Sequence, residues 1–335
     1  MINKNNQFYI DNLKNVVFLG HSKILSDLQK INKILNINDL IITGSDQKKY
    51  FSREKNVFVF NKINEKFKNF INNKVKISDT LFISLGSRWI FKDDDIKKFF
   101  KNNLVNFHGT RLPYDAGGGG FSWKILRNDR INNFIVHLIE PGIDEGGILY
   151  SKKSLFPAHC KIPLDFEKYY NKNIISFYKD FIQIVKNKKK FQPKIQVDYL
   201  GRYNPRLNDS ISGWIDWGMN SEDLIKFIDA FDDPYSGAST KIGSQTVKIK
   251  KAHLHGGDTP NHSFMAGIIS RHDEDWLVIS TKDKNMILVE IVNDKNGKNI
   301  IKNLRAGERF YTPNSKIEKS LSTKIKYNNA GLILK

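Results

Sequence analysis

The sequence predicts an α/β protein: a Rossmann-like, mostly parallel sheet followed by a smaller β-rich, barrel-like domain. Short apolar runs alternate with helical segments in the first part of the chain. Beyond about residue 205 the pattern changes to short β-rich runs separated by Gly, Asp and Asn. The length of 335 residues exceeds the usual size of a single domain. We therefore expect two domains, at residues 1–205 and 206–320.

The first predicted unit is a strand that leads into a helix. Residues 16–20 form an apolar run that ends in Gly20, and Ile24, Leu28, Ile31 and Leu35 then recur at helical spacing. Further strands are predicted at residues 40–43, 57–60, 80–85 and 104–107. Strands that alternate with helices indicate a mostly parallel sheet with helices on its faces.

The second part begins with a helix and continues with short strands. Asn220 or Ser221 is placed to cap the helix, and Glu222 and Asp223 lie in its first turn. Its predicted buried stripe is Leu224, Phe227, Ile228 and Phe231. Strands are expected at residues 246–249, 264–269, 276–280 and 286–292, a spacing typical of a small barrel or sandwich.

The net charge of +19 is compatible with a nucleic acid, an anionic membrane or a phosphorylated substrate. Lysines are scattered along the whole chain, however, and the densest cluster is only residues 186–190. A general compositional bias therefore explains most of the charge. No segment approaches the roughly 18 apolar residues of a membrane span, and no signal peptide is evident.

Cys160 is the only cysteine, so no internal disulfide can form. We expect a cytoplasmic protein without a membrane role.

Asn106 and His108 lie at the end of the predicted strand at 104–107. A period of two places both side chains on one face, so that they can address the same substrate atom. Ligands of parallel sheets bind beyond the carboxyl ends of the strands. A histidine held only by local hydrogen bonds is the alternative for this motif taken alone.

Asp144 follows another predicted strand, at 134–139, in a loop rich in glycine and proline. Such a loop can bring its carboxylate to His108, where it would favour the protonated imidazole and fix its orientation. An acidic residue in a turn, without a catalytic role, is the alternative.

Other candidate motifs are weaker. The glycines at 117–120 do not form a P-loop; they are compatible with an anion cradle before a helix or with a flexible turn. Gly20 lacks the partners of a dinucleotide fingerprint. For His253, His255 and His262 a solvated turn is favoured over a metal site, and no metal is predicted.

Taken in order, these motifs resemble the formyltransferase family that uses 10-formyltetrahydrofolate. The resemblance covers most of the chain, and the residues that carry it are Asn106, His108, Gly109, Leu112, Pro113, Gly117, Asp144, Gly146 and Ile148. Residues 213–217, 230–238 and 307–313 resemble the C-terminal domain of the methionyl-tRNA and amino-sugar members. Glycinamide ribonucleotide formyltransferases lack that domain.

Two segments favour the sugar-nucleotide branch of the family. The tRNA enzymes usually carry a longer basic insertion after the second strand, whereas only 13 residues separate Thr43 from Val57 here. Ser87, Arg88, Trp89 and Ile90 resemble the aromatic-containing loop of the sugar-nucleotide enzymes. The resemblance implies that these four residues and Ile143 bind the folate.

The expected function is therefore transfer of a formyl group from 10-formyltetrahydrofolate to the amine of a nucleotide-linked amino sugar, by default a dTDP-linked dideoxy amino sugar. Asn106 would donate to the oxyanion. His108, assisted by Asp144, would either donate to it or relay the amine proton.

Methionyl-tRNA formylation is the rival within enzymes, favoured by the net charge and disfavoured by the short segment after Thr43. A non-catalytic folate- or nucleotide-binding protein is the rival from another class. The sequence leaves the oligomeric state open, and a homodimer is one of the alternatives.

Overall fold

A computed structural model of the protein describes residues 7–20, 22–51, 56–87, 89–118, 120–197, 201–257, 261–328 and 331–334. The predicted α/β class is confirmed, with a mostly parallel sheet in the first part and an antiparallel half-barrel in the second. The boundary predicted at residues 205 and 206 stays a prediction. No helix within the described ranges is long and apolar enough to cross a membrane.

The strands of the first part are β1 Asn15–Gly20, β2 Asn38–Thr43, β3 Val57–Val59, β4 Thr80–Leu85, β5 Leu104–His108, β6 Asp115–Gly117, β7 Ile131–Leu138, β8 Ile148–Leu155 and β9 Arg202–Asn204. Seven of them form one sheet in the order β3-β2-β1-β4-β5-β7-β8. Strands β1 to β5 are parallel, whereas β7 is antiparallel to both β5 and β8. Strands β6 and β9 form a separate parallel pair.

The α-helices are α1 Leu25–Ile34, α2 Glu65–Lys74, α3 Gly120–Leu126, α4 Pro163–Lys186, α5 Asp209–Ser212, α6 Ser221–Ala230 and α7 Asn314–Ser322. Shorter helical turns lie at Lys48–Phe51, Ile77–Asp79, Asp95–Phe99, Ser263–Met265 and Ile301–Asn303.

Helices cover both faces of the large sheet. On β1, Val16 and Phe18 belong to the apolar cluster that contains α1 and α4, whereas Val17 and Leu19 belong to the cluster that contains α2. A strand buried on both faces has to be apolar throughout, which is why this segment reads as a continuous run. Burial of each such side chain stabilises the fold by roughly 1.5–3 kcal/mol.

The second part is built on a six-stranded antiparallel sheet in the order β12-β13-β14-β11-β10-β15. Its strands are β10 Ala238–Ile242, β11 Gln245–His255, β12 Ile269–His272, β13 Leu277–Ser280, β14 Met286–Asn293 and β15 Phe310–Tyr311. A hairpin of β16 Ile325–Asn328 and β17 Gly331–Leu334 follows α7. Asn220 caps α6 as predicted, since its side chain accepts a hydrogen bond from the Asp223 backbone.

The strand predicted at residues 264–269 is wrong for most of its length. Phe264 lies in a short 3-10 turn instead, with its backbone N–H donated to Nδ1 of His262, and its ring is exposed. Gly267 then takes a φ of +84° close to the Phe310 backbone, so extended pairing starts only at Ile269. Local capping and a left-handed glycine outweigh the apolar pattern here.

Candidate active site

The site lies where β5 reaches the carboxyl edge of the parallel sheet. Asn106 and His108 are two residues apart on this strand, as the alternating pattern predicts. Strand β7 runs antiparallel beside it, and His137 lies directly opposite Asn106 in the register. The sheet therefore brings a second histidine to the predicted pair.

His137 fixes the orientation of the Asn106 amide. Burial lowers the pKa of His137 to about 4, although the Asp144 carboxylate opposes the shift, so the ring is neutral near pH 7. Its Nδ1 lies 2.8 Å from the carbonyl oxygen of Leu138, which can only accept, so Nδ1 carries the proton. Nε2 must then accept from Nδ2 of Asn106, at 3.1 Å. One N–H of Asn106 is used, and the other is left for a substrate atom.

Asp144 faces both imidazoles from the loop after β7. Its Oδ1 lies 3.4 Å from Nδ1 of His108 and 3.8 Å from Nε2 of His137. Its Oδ2 accepts the backbone N–H of Gly117 at 2.9 Å. Burial would raise the pKa of Asp144, but the two histidines and this N–H outweigh it and hold the pKa below its usual value. The carboxylate is therefore ionised at neutral pH.

The geometry leaves one nitrogen of His108 for chemistry. Nδ1 is buried 3.4 Å from Oδ1 of Asp144, but the angle is not yet that of a hydrogen bond. About a quarter of the side chain is exposed, and with Nδ1 covered this exposure belongs to the rest of the ring. Catalytic hydrogen bonds are often long before substrate binds. Nε2 is thus the atom able to take or give a proton at a substrate.

Glycines allow tight backbone packing in the segments on either side of the Asp144 carboxylate. Gly117 has a φ of +97°, and a Cβ at this position would lie 2.3 Å from the Asn204 carbonyl oxygen. A Cβ at Gly146 would lie 1.9 Å from the Leu138 carbonyl oxygen. Of the glycines at 117–120, Gly117 therefore offers its amide to a carboxylate of the protein itself, and Gly119 lies outside the described residues.

Of the five residues predicted to bind folate, Ser87, Trp89, Ile90 and Ile143 lie within the described part of the chain. Ser87, Trp89 and Ile90 follow β4, the parallel neighbour of β5, and the Ser87 hydroxyl accepts the Trp89 backbone N–H. Ile90 is 79% exposed, and Ile143, next to Asp144, is 47% exposed. Arg88 lies outside the described residues. An exposed apolar side chain next to Asp144 in sequence suits a partly apolar ligand, and the binding role of these residues stays a prediction.

A cation could also bind at this centre. One ligand atom from each of His108, His137 and Asp144 lies within 4.8 Å of the other two. The barrel histidines have other partners: Nε2 of His253 lies 2.9 Å from Oε1 of Glu290, and Nε2 of His255 lies 2.7 Å from Nη2 of Arg271.

Three arginines surround one buried carboxylate next to this centre, that of Asp115 on β6, which is 2% exposed. Its Oδ1 lies 3.1 Å from Nη2 of Arg127 and 3.5 Å from Nε of Arg202. Arg111 reaches Oδ2 of Asp115 at 3.5 Å and Oδ2 of Asp129 at 3.6 Å. Three guanidinium groups face two carboxylates, so the cluster carries excess positive charge.

Comparison with known proteins finds a family similarity in the second part of the chain and a relative along most of its length. Residues 209–306 match the formyl transferase C-terminal domain. A methionyl-tRNA formyltransferase of Mycoplasma capricolum is 23% identical over 318 residues, which cover 87% of this chain and 94% of that protein.

Solved structures share the fold. The sugar 3N-formyl transferase WlaRD, crystallised with dTDP and 5-N-formyl-THF, superposes with a TM-score of 0.61 at 21% identity, covering 83% of this chain and 97% of its own. The N-formyltransferase of Helicobacter canadensis, in complex with folinic acid and dTDP-3-aminofucose, gives a TM-score of 0.58 at 19% identity. The match covers 83% of this chain and 99% of that one.

Proposed function

We propose that this chain, an N-formyltransferase by its C-terminal domain and its full-length relatives, moves the formyl group of 10-formyltetrahydrofolate to the amine of a nucleotide-linked amino sugar. A dTDP-linked dideoxy amino sugar is the first substrate to test. The observation that carries the chemistry is the cluster of Asn106, His108, His137 and Asp144, which places an oriented amide donor beside an imidazole that faces a carboxylate.

The residues have complementary tasks during transfer. The formyl donor supplies a carbonyl carbon whose oxygen gains negative charge when the amine attacks. The spare N–H of Asn106 donates to that oxygen, the kind of contact that usually gives the largest single stabilisation. Nε2 of His108 takes the proton that the amine sheds as the new C–N bond forms. It then returns that proton to the folate nitrogen when the old C–N bond breaks, so the folate leaves as tetrahydrofolate.

Two features of this chain support a small phosphorylated acceptor. The arginine cluster at Asp115 lies beside the centre, and guanidinium groups suit the oxygens of a diphosphate. The barrel region, residues 206–320, carries as many acidic as basic side chains, 16 of each. A neutral barrel offers little attraction to the phosphates of a tRNA.

Formylation of methionyl-tRNA is the second candidate. The Mycoplasma capricolum relative has that activity in its name, and residues 1–205 carry 35 basic against 19 acidic side chains. A tRNA that lies along this region would release many counterions, so its formylation should weaken steeply as salt is added.

The deciding experiment offers both acceptors to the purified protein with 10-formyltetrahydrofolate, in separate reactions followed by mass spectrometry. A mass gain of one formyl group on a nucleotide-linked amino sugar, abolished in Asn106→Ala, supports the proposal. Formylated methionyl-tRNA with no formylated sugar would assign the chain to the tRNA reaction instead.

A further inference from the structure

We infer that Gln196 is a positioning residue that holds the Asp144 carboxylate against His108; this rests on the role of these two residues in the proposed function. Gln196 lies in the segment after α4, about 50 residues from the loop that it contacts. It touches none of the reacting groups named above, so its effect would be exerted through the loop backbone.

The side chain of Gln196 spans the Asp144 loop. Its Nε2 donates to the carbonyl oxygen of Asp144 at 2.8 Å and to that of Gly146 at 2.7 Å. Both hydrogens of the amide are therefore used on this loop. The neighbours Ile195 and Val197 are 74% and 61% exposed, whereas Gln196 turns inward between them.

The segment is itself attached to the loop's far end. Lys194 and Ile148 exchange two backbone hydrogen bonds, at 2.8 and 2.9 Å. Pro193 packs on Gly147, where a Cβ would lie 2.7 Å from the proline ring. These contacts give Gln196 a fixed base from which it can restrain the loop.

The loop needs such a restraint because its own backbone is unusual. Asp144 has a φ of +60°, in the left-handed region that few residues other than glycine adopt. Gly142 has a φ of +118°, and Gly146 and Gly147 add further freedom. A carboxylate on a segment of this kind keeps its distance to His108 only if the carbonyls around it are fixed.

Gln196→Glu is the diagnostic variant, because it keeps the volume of the side chain and removes both donors. We expect kcat to fall roughly 10- to 100-fold, the usual effect of losing a supporting contact, with the KM of both substrates within about twofold. Gln245→Ala, an exposed change in the barrel, is the matched control and should leave kcat unchanged.

Hydrogen exchange provides a second readout that a general loss of stability would not mimic. The Gly117 N–H is protected by Oδ2 of Asp144. In Gln196→Glu its exchange should quicken while amides of β1 and β4 keep their protection. Wild-type kcat in this variant, or a reduced kcat with unchanged Gly117 exchange, would overturn the inference.

The two proposals fail in different ways. The kcat measurement uses whichever acceptor the wild-type protein formylates, sugar or tRNA. If the wild-type protein formylates neither, the proposed function fails. The hydrogen-exchange measurement needs no substrate, and unchanged exchange at Gly117 in Gln196→Glu would by itself overturn the role of Gln196.

Discussion

Asn106 and His137 are opposite each other on antiparallel strands, with 3.1 Å between the amide nitrogen of the first and Nε2 of the second. Because His137 donates its own proton to a backbone carbonyl, it can only accept from Asn106. A neutral, buried histidine thus sets which way the amide presents its free N–H.

Asn106→Ala removes the expected oxyanion donor. We expect kcat to fall by about 10²–10³-fold with little change in the KM of either substrate, since this contact forms mainly in the transition state. Steady-state kinetics on the purified variant, with circular dichroism to confirm the fold, provides the measurement. Wild-type turnover would remove Asn106 from the mechanism.

His137→Asn should change the pH dependence of stability. The pKa of His137 is lowered to about 4, so the unfolded chain binds more protons than the folded one between about pH 6.5 and 4. His137 therefore lowers the free energy of unfolding of the wild-type protein in acid. The loss is absent above pH 6.5 and grows to about 3 kcal/mol as the pH falls to 4.

Asp229 has the opposite effect on how the stability of the wild-type protein depends on pH, because burial raises the pKa of Asp229 to about 7. The comparison should therefore be the difference between variant and wild type in urea unfolding at pH 7 and at pH 4.5. Relative to the wild type, the variant should have a higher free energy of unfolding at pH 4.5 than it has at pH 7. An equal difference at both values would contradict the assignment of His137 as a buried neutral ring.

Gly117→Ala should disturb the fold and the site together. The added methyl would meet the Asn204 carbonyl, and its φ of +97° is unfavourable for alanine. We expect a loss of roughly 1–3 kcal/mol in the free energy of unfolding and a reduced kcat. Gly256→Ala is the matched control, since nothing lies within 4 Å of the new methyl. Equal stability of the two variants in urea would show that the close approach at Gly117 is unimportant.

Arg202→Gln tests the arginine cluster as the recognition site of a diphosphate. The side chain is 55% exposed, so the fold should tolerate the change. Loss of one charged hydrogen bond, about 1.5 kcal/mol, should raise the KM of the nucleotide-linked sugar roughly tenfold and leave kcat similar. Arg271→Gln, on the barrel surface, serves as the control. Equal KM values in both variants would argue against a phosphate contact at Arg202.

The sequence predicts those features that depend on local pattern. The continuous apolar runs of β1 and β4 identify the buried parallel strands, and Asn220 marks the start of α6. The spacing of Asn106 and His108 places both at the edge of the sheet, since alternation in a strand is a local property.

Features that depend on pairing between distant segments were not predictable in this way. His137 stands in an apolar run, and only the antiparallel register of β5 and β7 brings it to Asn106. Gln196 shows no local motif at all. Its role follows from a contact across some 50 residues of chain.

The apolar cluster under the barrel also contains side chains from the first part of the chain. Phe156 and Phe166 belong to the same buried group as Ile228 and Phe231 of the α6 region, and the Ser122 hydroxyl donates to the Ala230 carbonyl. A fragment cut near residue 205 would leave these rings facing water and remove a partner of α3. Barrels exchanged between relatives should therefore fail unless the first part is redesigned to match, and the intact chain should melt in a single step.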